Sequence, residues 1–236
     1  MLKRVFDIAL SIIGIILFFP ILLVVSFFIF FSDFSNPLYF GKRVGKNHKT
    51  FFLIKFRSMH INADKSGVES TSNNDLRITK VGSLIRKYKI DELPQFFNVF
   101  KGDMSFVGPR PQTEIGYSLY TDKEKKLLNV KPGITDFSSI VFSDEGHILK
   151  DSHNPDLDYN QLIRPWKSKL GLFYIKNRSI YLDSQLILLT IITIISKEKS
   201  LRIINKILTK LNADEDLIKV SKRKLPLVPC DIVKVL

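Results

Sequence analysis

The sequence predicts an α+β protein in which a membrane-inserted N-terminal helix precedes a small, mostly helical domain with a short β-hairpin. Three observations predict this fold class: a long apolar N-terminal run, two β-prone runs around a turn, and apolar residues at helical spacing further on. We divide the chain into residues 1–35, the membrane helix; residues 36–196, the main domain; and residues 197–236, a basic C-terminal extension.

The N-terminal apolar run extends from Val5 to Phe31. As a straight helix its 27 residues would measure about 40 Å, which is long enough to span a bilayer. Pro20 lies near its middle, where it removes a backbone hydrogen bond. The basic residues that flank the run are Lys3, Arg4, Lys42, Arg43, Lys46 and Lys49. Because such flanks tend to stay in the cytoplasm, we predict a re-entrant helix that bends at Pro20, with an ordinary kinked spanning helix as the alternative.

The main domain begins with two β-prone runs, Leu38–Phe40 and Thr50–Phe56, which predict a hairpin around Gly45–His48. The polar stretch Ile61–Asp75 predicts a loop. The predicted helices are Thr79–Lys87, Glu92–Phe100 with Pro94 in its first turn, Thr121–Leu128, Asn160–Asn177 and Tyr181–Ile195. The last of these is too short for a bilayer span, so we expect an amphipathic helix at the membrane interface or in the core.

The positive charge is concentrated in two parts of the chain. Of the formal +13, residues 36–111 contribute +8, from 14 Lys and Arg against 6 Asp and Glu. Residues 197–236 contribute +5, from 10 against 5. Such surfaces attract phosphates of nucleotides, anionic lipids or nucleic acid. A nucleic-acid binder would leave the apolar N-terminus unexplained and the sequence has no groove-reading motif, so we expect no nucleic-acid partner.

The number of cysteines and the spacing of the histidines exclude a zinc cluster. The chain has one cysteine, Cys230, which also excludes an internal disulfide. The four histidines are scattered and have no metal-ligand spacing. Any metal site in this chain is therefore expected to use carboxylates.

The strongest functional signal is the segment Lys89–Pro111. It places two adjacent carboxylates, Asp91 and Glu92, among basic residues and ends in the rigid turn Gly108–Pro111. An ionised carboxylate near a helix start can attack phosphorus, and its neighbour can hold Mg²⁺ together with substrate phosphates. Candidates for binding the substrate phosphates are Lys55, Arg57, Arg86 and Arg110. The alternative is that Asp91 caps a helix.

On these residues the chain resembles the bacterial sugar transferases of the monotopic phosphoglycosyl transferase family. The matching segments are Lys55–Met59, Asp75–Gly82, Leu84–Lys87, Asp91–Pro111 and Val130–Thr135, together with the apolar N-terminus and its proline. The resemblance covers roughly residues 1–195. It implies a re-entrant membrane helix broken near Pro20 and a small catalytic domain at the cytoplasmic face of the bacterial inner membrane.

The resemblance also implies a reaction, the transfer of a sugar 1-phosphate from a UDP-sugar to a polyprenyl phosphate such as undecaprenyl phosphate. Asp91 would attack the β-phosphate, UMP would leave, and the polyprenyl phosphate would then take the phosphosugar, which starts a lipid-linked glycan. Glu92 would assist Asp91 and bind Mg²⁺ with it. The residues implied to contact substrate phosphates are Lys55, Arg86, Arg110 and, as a weaker candidate, Gln95. The basic surface is expected to hold the domain on anionic lipid.

Two departures from the family pattern narrow what the resemblance implies. Phe19 precedes Pro20 where the family often has serine, so a hydroxyl that could satisfy a freed carbonyl is missing. After Thr135 the chain continues Asp136–Ser139 instead of Gly-Trp, so the sugar is not inferred from other members. The alternative function is a membrane-anchored, non-catalytic scaffold. The sequence leaves the oligomeric state open, a homodimer included.

Overall fold

The computed structural model describes residues 1–63, 67–68, 70–72 and 74–228. The helices are α1 (Leu2–Asp33), α2 (Lys80–Lys87), α3 (Gln95–Lys101), α4 (Glu114–Ser118), α5 (Asp122–Lys125), α6 (Phe137–Val141), α7 (Glu145–Ile148), α8 (Pro155–Asp158), α9 (Arg164–Asn177), α10 (Ile180–Ile195), α11 (Lys197–Lys210) and α12 (Glu215–Ser221). The strands are β1 (Leu38–Val44), β2 (Thr50–Phe56), β3 (Ser105–Val107) and β4 (Gly133–Thr135). Single 3-10 turns cover Lys46–His48, Ile90–Glu92 and Lys126–Asn129, and a π-helical turn covers Tyr159–Ile163.

These elements confirm the predicted α+β class. Part of the predicted loop Ile61–Asp75 lies outside the described residues, as do Cys230 and the end of the C-terminal extension. The division of the chain into three parts stays a prediction.

The helix α1 buries one narrow face, at Asp7, Ser11, Gly14, Leu22 and Ile29. Its other faces expose large apolar side chains along nearly the whole length of the helix. Among the described helices, α1 alone is long and apolar enough to cross a membrane, with a mean hydropathy of 3.1. The chain stays helical through Pro20, and the bend and the re-entrant course remain predictions.

The N-terminal turns of α1 are fixed to the domain by charged side chains. Arg4 donates hydrogen bonds to the carbonyls of Val99 and Phe100 at the end of α3, at 2.5 and 2.7 Å. The buried Asp7 accepts hydrogen bonds from the Ser105 hydroxyl and from the next backbone N–H in β3, at 3.0 and 3.1 Å. The Asp7 carboxylate is therefore hydrogen-bonded within the protein, which offsets the cost of burying it.

The C-terminal end of α1 is tied to the same domain. Arg57, which follows β2, forms a two-pronged ion pair with Asp33, with 2.7 Å between Nη2 and Oδ1. Its Nε donates to the Asn36 carbonyl at 2.8 Å. A small apolar cluster beside this ion pair comprises Leu22, Ile29, Phe56 and Ile85. Both ends of the 32-residue helix therefore contact one domain.

The hairpin of β1 and β2 is antiparallel and confirms the predicted one, with Leu38 opposite Phe56 and Val44 opposite Thr50. The buried Asn98 of α3 joins its second strand to the rest of the domain. The Asn98 side chain accepts from the Ile54 N–H at 2.9 Å and donates to the carbonyl two residues earlier at 2.7 Å. These two hydrogen bonds fix the position of Lys55, which follows Ile54 in β2.

The predicted helix Glu92–Phe100 is wrong at its start, because α3 begins at Gln95. Pro94 has no N–H to donate to the carbonyl of Ile90, which instead accepts the Leu93 N–H at 3.1 Å in the preceding 3-10 turn. Asp91 and Glu92 lie in that turn.

The predicted helices Thr79–Lys87, Asn160–Asn177 and Tyr181–Ile195 are confirmed within a few residues at their ends. The predicted helix Thr121–Leu128 is confirmed only in part, because the short α5 continues as a 3-10 turn from Lys126.

The main core lies between β3, α6, α9, α10 and α11. Strands β3 and β4 are parallel, with Ser105 opposite Gly133 and Val107 opposite Thr135. α10 turns Leu182, Leu186 and Leu189 into this core. Its opposite face exposes Tyr181, Leu188, Ile191, Ile194 and Ile195. α10 is therefore packed on the core, as one of the two predicted alternatives has it, but it is apolar on both faces rather than amphipathic.

Candidate active site

Asp91 and Glu92 lie in the 3-10 turn between α2 and α3. The turn starts at Lys89, whose left-handed backbone (φ 55°) reverses the chain after α2. The Asp91 residue is only 8 % exposed. Its burial, together with the neighbouring Glu92 carboxylate, raises the pKa of Asp91 to about 6. Among the described residues no group donates a hydrogen bond to Asp91, so its oxygens keep free lone pairs.

Three cations favour the ionised form of Asp91: Lys55 and Arg86, described next, and Arg110. Lys55 comes from β2, where its ammonium lies 5.2 Å from the centre of the Tyr39 ring. Burial lowers the pKa of Lys55 to about 8, against the opposing effect of the Asp91 carboxylate. Arg86 comes from the last turn of α2 and donates to the Ser58 hydroxyl at 3.4 Å. Its positive charge also favours the ionised form of Asp91.

Glu92 is held by Arg110 from the turn after β3. Arg110 donates two hydrogen bonds to its carboxylate, at 2.6 Å (Nη2–Oε1) and 3.3 Å (Nη1–Oε2). Burial acts to raise the pKa of Glu92, but the charge and hydrogen bonds of Arg110 outweigh it and lower that pKa to about 2. The two neighbouring carboxylates therefore have different surroundings: Glu92 is tied to a guanidinium and Asp91 is not.

Three charged residues near this site were not predicted. Burial lowers the pKa of Lys89, against the opposing effect of the Glu92 carboxylate. Glu145 of α7 forms an ion pair with Lys167 of α9, and both act electrostatically on Arg110. Lys89 could have been found from its place two residues before the carboxylates. Glu145 and Lys167 stand 22 residues apart and carry no local pattern.

The structure thus brings together most of the predicted site residues but not all of them. Lys55, Arg86 and Arg110 surround the two carboxylates. Gln95 is fully buried at the start of α3, and its Nε2 finds no hydrogen-bond partner in the described part of the chain. Arg57 lies at the end of α1, where Asp33 engages its guanidinium. The roles of these residues toward a substrate stay predictions.

The carboxylates of the site can bind a divalent cation only if a bound substrate supplies further oxygen atoms. Within the described residues no group of three or more His, Cys, Asp and Glu side chains could hold a metal. Two adjacent carboxylates, one of them free of hydrogen bonds, nevertheless fit Mg²⁺, which usually takes one or two carboxylates and completes its shell with phosphate oxygens and water. The residues present therefore suit Mg²⁺ that arrives with a phosphate-bearing substrate.

The site as a whole suits an anionic ligand. Lys55, Arg86, Lys89 and Arg110 outnumber the two carboxylates they surround, so the field in this pocket attracts negative charge. A carboxylate whose pKa lies near 6 is ionised at neutral pH and can act as a nucleophile. The geometry favours attack on a phosphate group that the surrounding cations hold in place.

Comparison with known proteins gives a consistent result. The family model described as bacterial sugar transferase matches residues 1–197. The UDP-N-acetylgalactosamine-undecaprenyl-phosphate N-acetylgalactosaminephosphotransferase of Aeromonas hydrophila is 36 % identical over 199 residues, which are 83 % of this chain and 44 % of that protein. The undecaprenyl-phosphate glucose phosphotransferase of Komagataeibacter xylinus is 36 % identical over 196 residues, 80 % of this chain and 35 % of that protein.

A third relative has a similar length. The uncharacterized sugar transferase EpsL of Bacillus subtilis is 35 % identical over 203 residues, which are 84 % of this chain and 89 % of that protein. This chain spans less than half of the Aeromonas and Komagataeibacter relatives. The names of those two relatives differ in the sugar, N-acetylgalactosamine in one and glucose in the other.

Proposed function

This chain belongs to the bacterial sugar transferase family, and we propose that it transfers a sugar 1-phosphate from a UDP-sugar to a polyprenyl phosphate. The observation that carries the proposal is the pair of the buried Asp91 and the half-buried Glu92. Glu92 is tied to Arg110, while Asp91 accepts no such bond and is subject to the charges of Lys55 and Arg86. Relatives named as undecaprenyl-phosphate sugar phosphotransferases support it.

In the first step the cations hold the diphosphate of the UDP-sugar against Asp91. A carboxylate oxygen of Asp91 forms a bond to the β-phosphorus, and the bond from that phosphorus to the bridging oxygen breaks. The electron pair leaves with UMP, and the sugar phosphate stays on Asp91 as an acyl phosphate. Arg110 and Lys55 counter the charge that develops on the phosphate oxygens.

In the second step a phosphate oxygen of the polyprenyl phosphate attacks the same phosphorus and releases the Asp91 carboxylate. The product is a polyprenyl diphosphate sugar, which starts a lipid-linked glycan. Mg²⁺ held by Asp91, Glu92 and substrate phosphate oxygens would supply further charge neutralisation. Gln95 is proposed to support the turn from within the core rather than to contact substrate.

The position of the protein in the membrane follows from the acceptor. A polyprenyl phosphate keeps its tail in the bilayer, so the site must lie at head-group depth. The exposed apolar faces of α1 and α10 provide surfaces that can enter lipid, and the basic residues between 36 and 111 would contact anionic head groups. We place the domain at the cytoplasmic face of a bacterial inner membrane, with α1 as a re-entrant helix.

Nucleotide release tests this function. Purified protein in nanodiscs with Mg²⁺, polyprenyl phosphate and a panel of UDP-sugars should release UMP, and the Asp91→Asn variant should release none. Release of UDP instead of UMP would overturn the mechanism. An Asp91→Asn variant that is as active as the wild type would overturn the role of Asp91. Inactivity across a broad panel would favour the non-catalytic scaffold.

A further inference from the structure

The C-terminal helices α11 and α12 lie almost wholly beyond the residues that the family model matches, yet they form part of the core. Leu201, Ile204 and Leu208 of α11 and Leu217 of α12 belong to the same apolar cluster as Trp166 of α9. The Asn205 side chain joins the two helices, because it donates to a carbonyl and to a hydroxyl at the end of α12, both at 2.9 Å. These helices therefore hold a fixed place against α9.

Two cations from these helices converge on one carboxylate. Lys197, the first residue of α11, forms an ion pair with Oδ2 of Asp144. Arg223, which follows α12, lies 3.8 Å from the same oxygen. The Arg223 guanidinium also lies over the Phe142 ring, 5.3 Å from its centre, and its side chain is only 13 % exposed. The side chains of Lys197 and Asp144 are 28 % and 31 % exposed, so this cluster of three charges is partly shielded from solvent and Arg223 is its most buried member.

This carboxylate lies next to a residue of the active-site surroundings. Asp144 directly precedes Glu145, which forms its ion pair with Lys167. Trp166, next to Lys167, donates its indole N–H to the Val228 carbonyl at 2.8 Å. The C-terminal segment therefore contacts Asp144 and Trp166, which are the chain neighbours of Glu145 and Lys167.

The Glu145–Lys167 pair in turn borders Arg110. Arg110 and Lys167 line one cavity together with Tyr159 and Asp136, and the Lys167 ammonium lies 5.3 Å from the centre of the Tyr159 ring. Arg110 contacts the Glu92 carboxylate and is also affected by the charge of the Glu145 carboxylate, which pairs with Lys167. If Glu145 left Lys167, it would compete with Glu92 for Arg110.

We propose that residues 197–228 are a positioning element for the active site, in which Lys197 and Arg223 hold Asp144 and thereby keep Glu145 on Lys167. Arg110 then stays on Glu92, ready to bind the diphosphate of a UDP-sugar. The inference rests on the proposed function for its substrate, and it assigns a role to the basic C-terminal extension. Lys197 and Arg223 are positioning residues, since they act through Asp144.

The test uses two double variants of the full chain. Lys197→Gln with Arg223→Gln removes both cations from Asp144. Arg202→Gln with Lys219→Gln removes one cation from α11 and one from α12, where each pairs only with an exposed glutamate one turn away. We expect the first variant to raise the KM for the UDP-sugar on the order of 3- to 30-fold, with a smaller change in kcat. The second variant and the single Lys197→Arg variant should keep the wild-type KM.

Hydrogen exchange gives a second readout that does not need activity. In the first double variant the amides of residues 145–149 should exchange faster than in the second, because α7 loses its anchor at Asp144. Equal exchange in the two double variants would overturn the inference, and so would equal KM values. A loss of activity that only follows a fall in Tm, and that Lys197→Arg shares, would show a merely structural role. A wild type without UMP release would count against the proposed function, while the exchange comparison would still decide this inference.

Discussion

Asp91 and Glu92 are neighbours in one turn, yet their surroundings give them different properties. Burial and the adjacent negative charge raise the pKa of Asp91 to about 6, whereas Arg110 outweighs burial and lowers the pKa of Glu92 to about 2. Asp91 keeps its lone pairs for a reaction, and Glu92 is fixed by two hydrogen bonds. Two residues of the same chemistry can therefore serve as nucleophile and as support, because their partners differ.

Because the pKa of Asp91 is raised in the folded protein, ionisation of this residue lowers the free energy of unfolding. Its folded-state pKa of about 6 lies above the ordinary 3.8, so stability falls as the pH rises through this window and stays lower above it. In metal-free buffer at neutral pH, Asp91→Asn should raise the free energy of unfolding by on the order of 1–3 kcal/mol while it abolishes turnover. Thermal unfolding with a chelator present measures this. A variant that is less stable than the wild type at neutral pH would contradict it.

Arg110 should matter more for turnover than for stability. Its side chain is 39 % exposed, so loss of its ion pair with Glu92 should cost only about 1 kcal/mol. Arg110→Ala should nevertheless lower kcat/KM by roughly 10²- to 10³-fold, the usual effect of removing a preorganised charge partner. The control is Arg202→Ala, which breaks an exposed ion pair with Glu198 on α11, away from the carboxylates. Equal loss of activity and of Tm in Arg110→Ala would make Arg110 structural.

Near the site, α2 packs very closely against the backbone that follows β2. Gly82 in the first turn of α2 lies against the end of β2, where a Cβ would stand 1.9 Å from the Ser58 carbonyl oxygen. This contact sets how close Arg86, at the far end of α2, comes to the carboxylates. Only a residue without a side chain fits here.

Gly82→Ala should therefore push α2 away from Ser58. We expect a loss of stability of about 1–3 kcal/mol, as for other overpacked sites, and a larger loss of turnover because Arg86 moves. Ser83→Ala is the matched control, since Ser83 is exposed on the same helix. Thermal unfolding and UMP release of both variants measure the effect, and an unchanged Tm in Gly82→Ala would refute the close contact.

We propose that the course of α1 in the membrane depends on Pro20. Pro20→Leu should favour one straight span of about 40 Å and move the hairpin to the other side of the membrane. Impermeant maleimide can report this through Lys49→Cys, an exposed turn position, after Cys230→Ser removes the native thiol. We expect labelling from outside the cell only in the Pro20→Leu variant, with Ile21→Leu as the control. The same labelling pattern in both would contradict a re-entrant helix.

The sequence predicted those elements of the fold that depend on residues close together in the chain. The hairpin, α2 and α9 follow from β-prone runs and from apolar residues at helical spacing. The predicted start of α3 is three residues too early, because Pro94 is the N-cap of this helix and not a residue of its first turn. The Glu145–Lys167 pair and the clamp on Asp144 by α11 and α12 join distant parts of the chain, so no local pattern could reveal them.

Over the whole molecule the charge and the apolar surface have separate roles. Two of the C-terminal cations, Lys197 and Arg223, form ion pairs with Asp144 inside the protein rather than with lipid. The apolar surface is concentrated on α1 and one face of α10. Both ends of α1 contact the domain that carries Asp91, so this long apolar helix is joined directly to the candidate active site.

The central claim is that Asp91 carries the sugar phosphate during the reaction. Protein in nanodiscs, without polyprenyl phosphate, would be mixed with Mg²⁺ and a UDP-sugar labelled with ³²P at the β-phosphate. We predict label on the wild-type protein, its discharge when polyprenyl phosphate is added, and none on Asp91→Asn. Turnover with no label on the protein, or label that remains on Asp91→Asn, would contradict a covalent intermediate at Asp91.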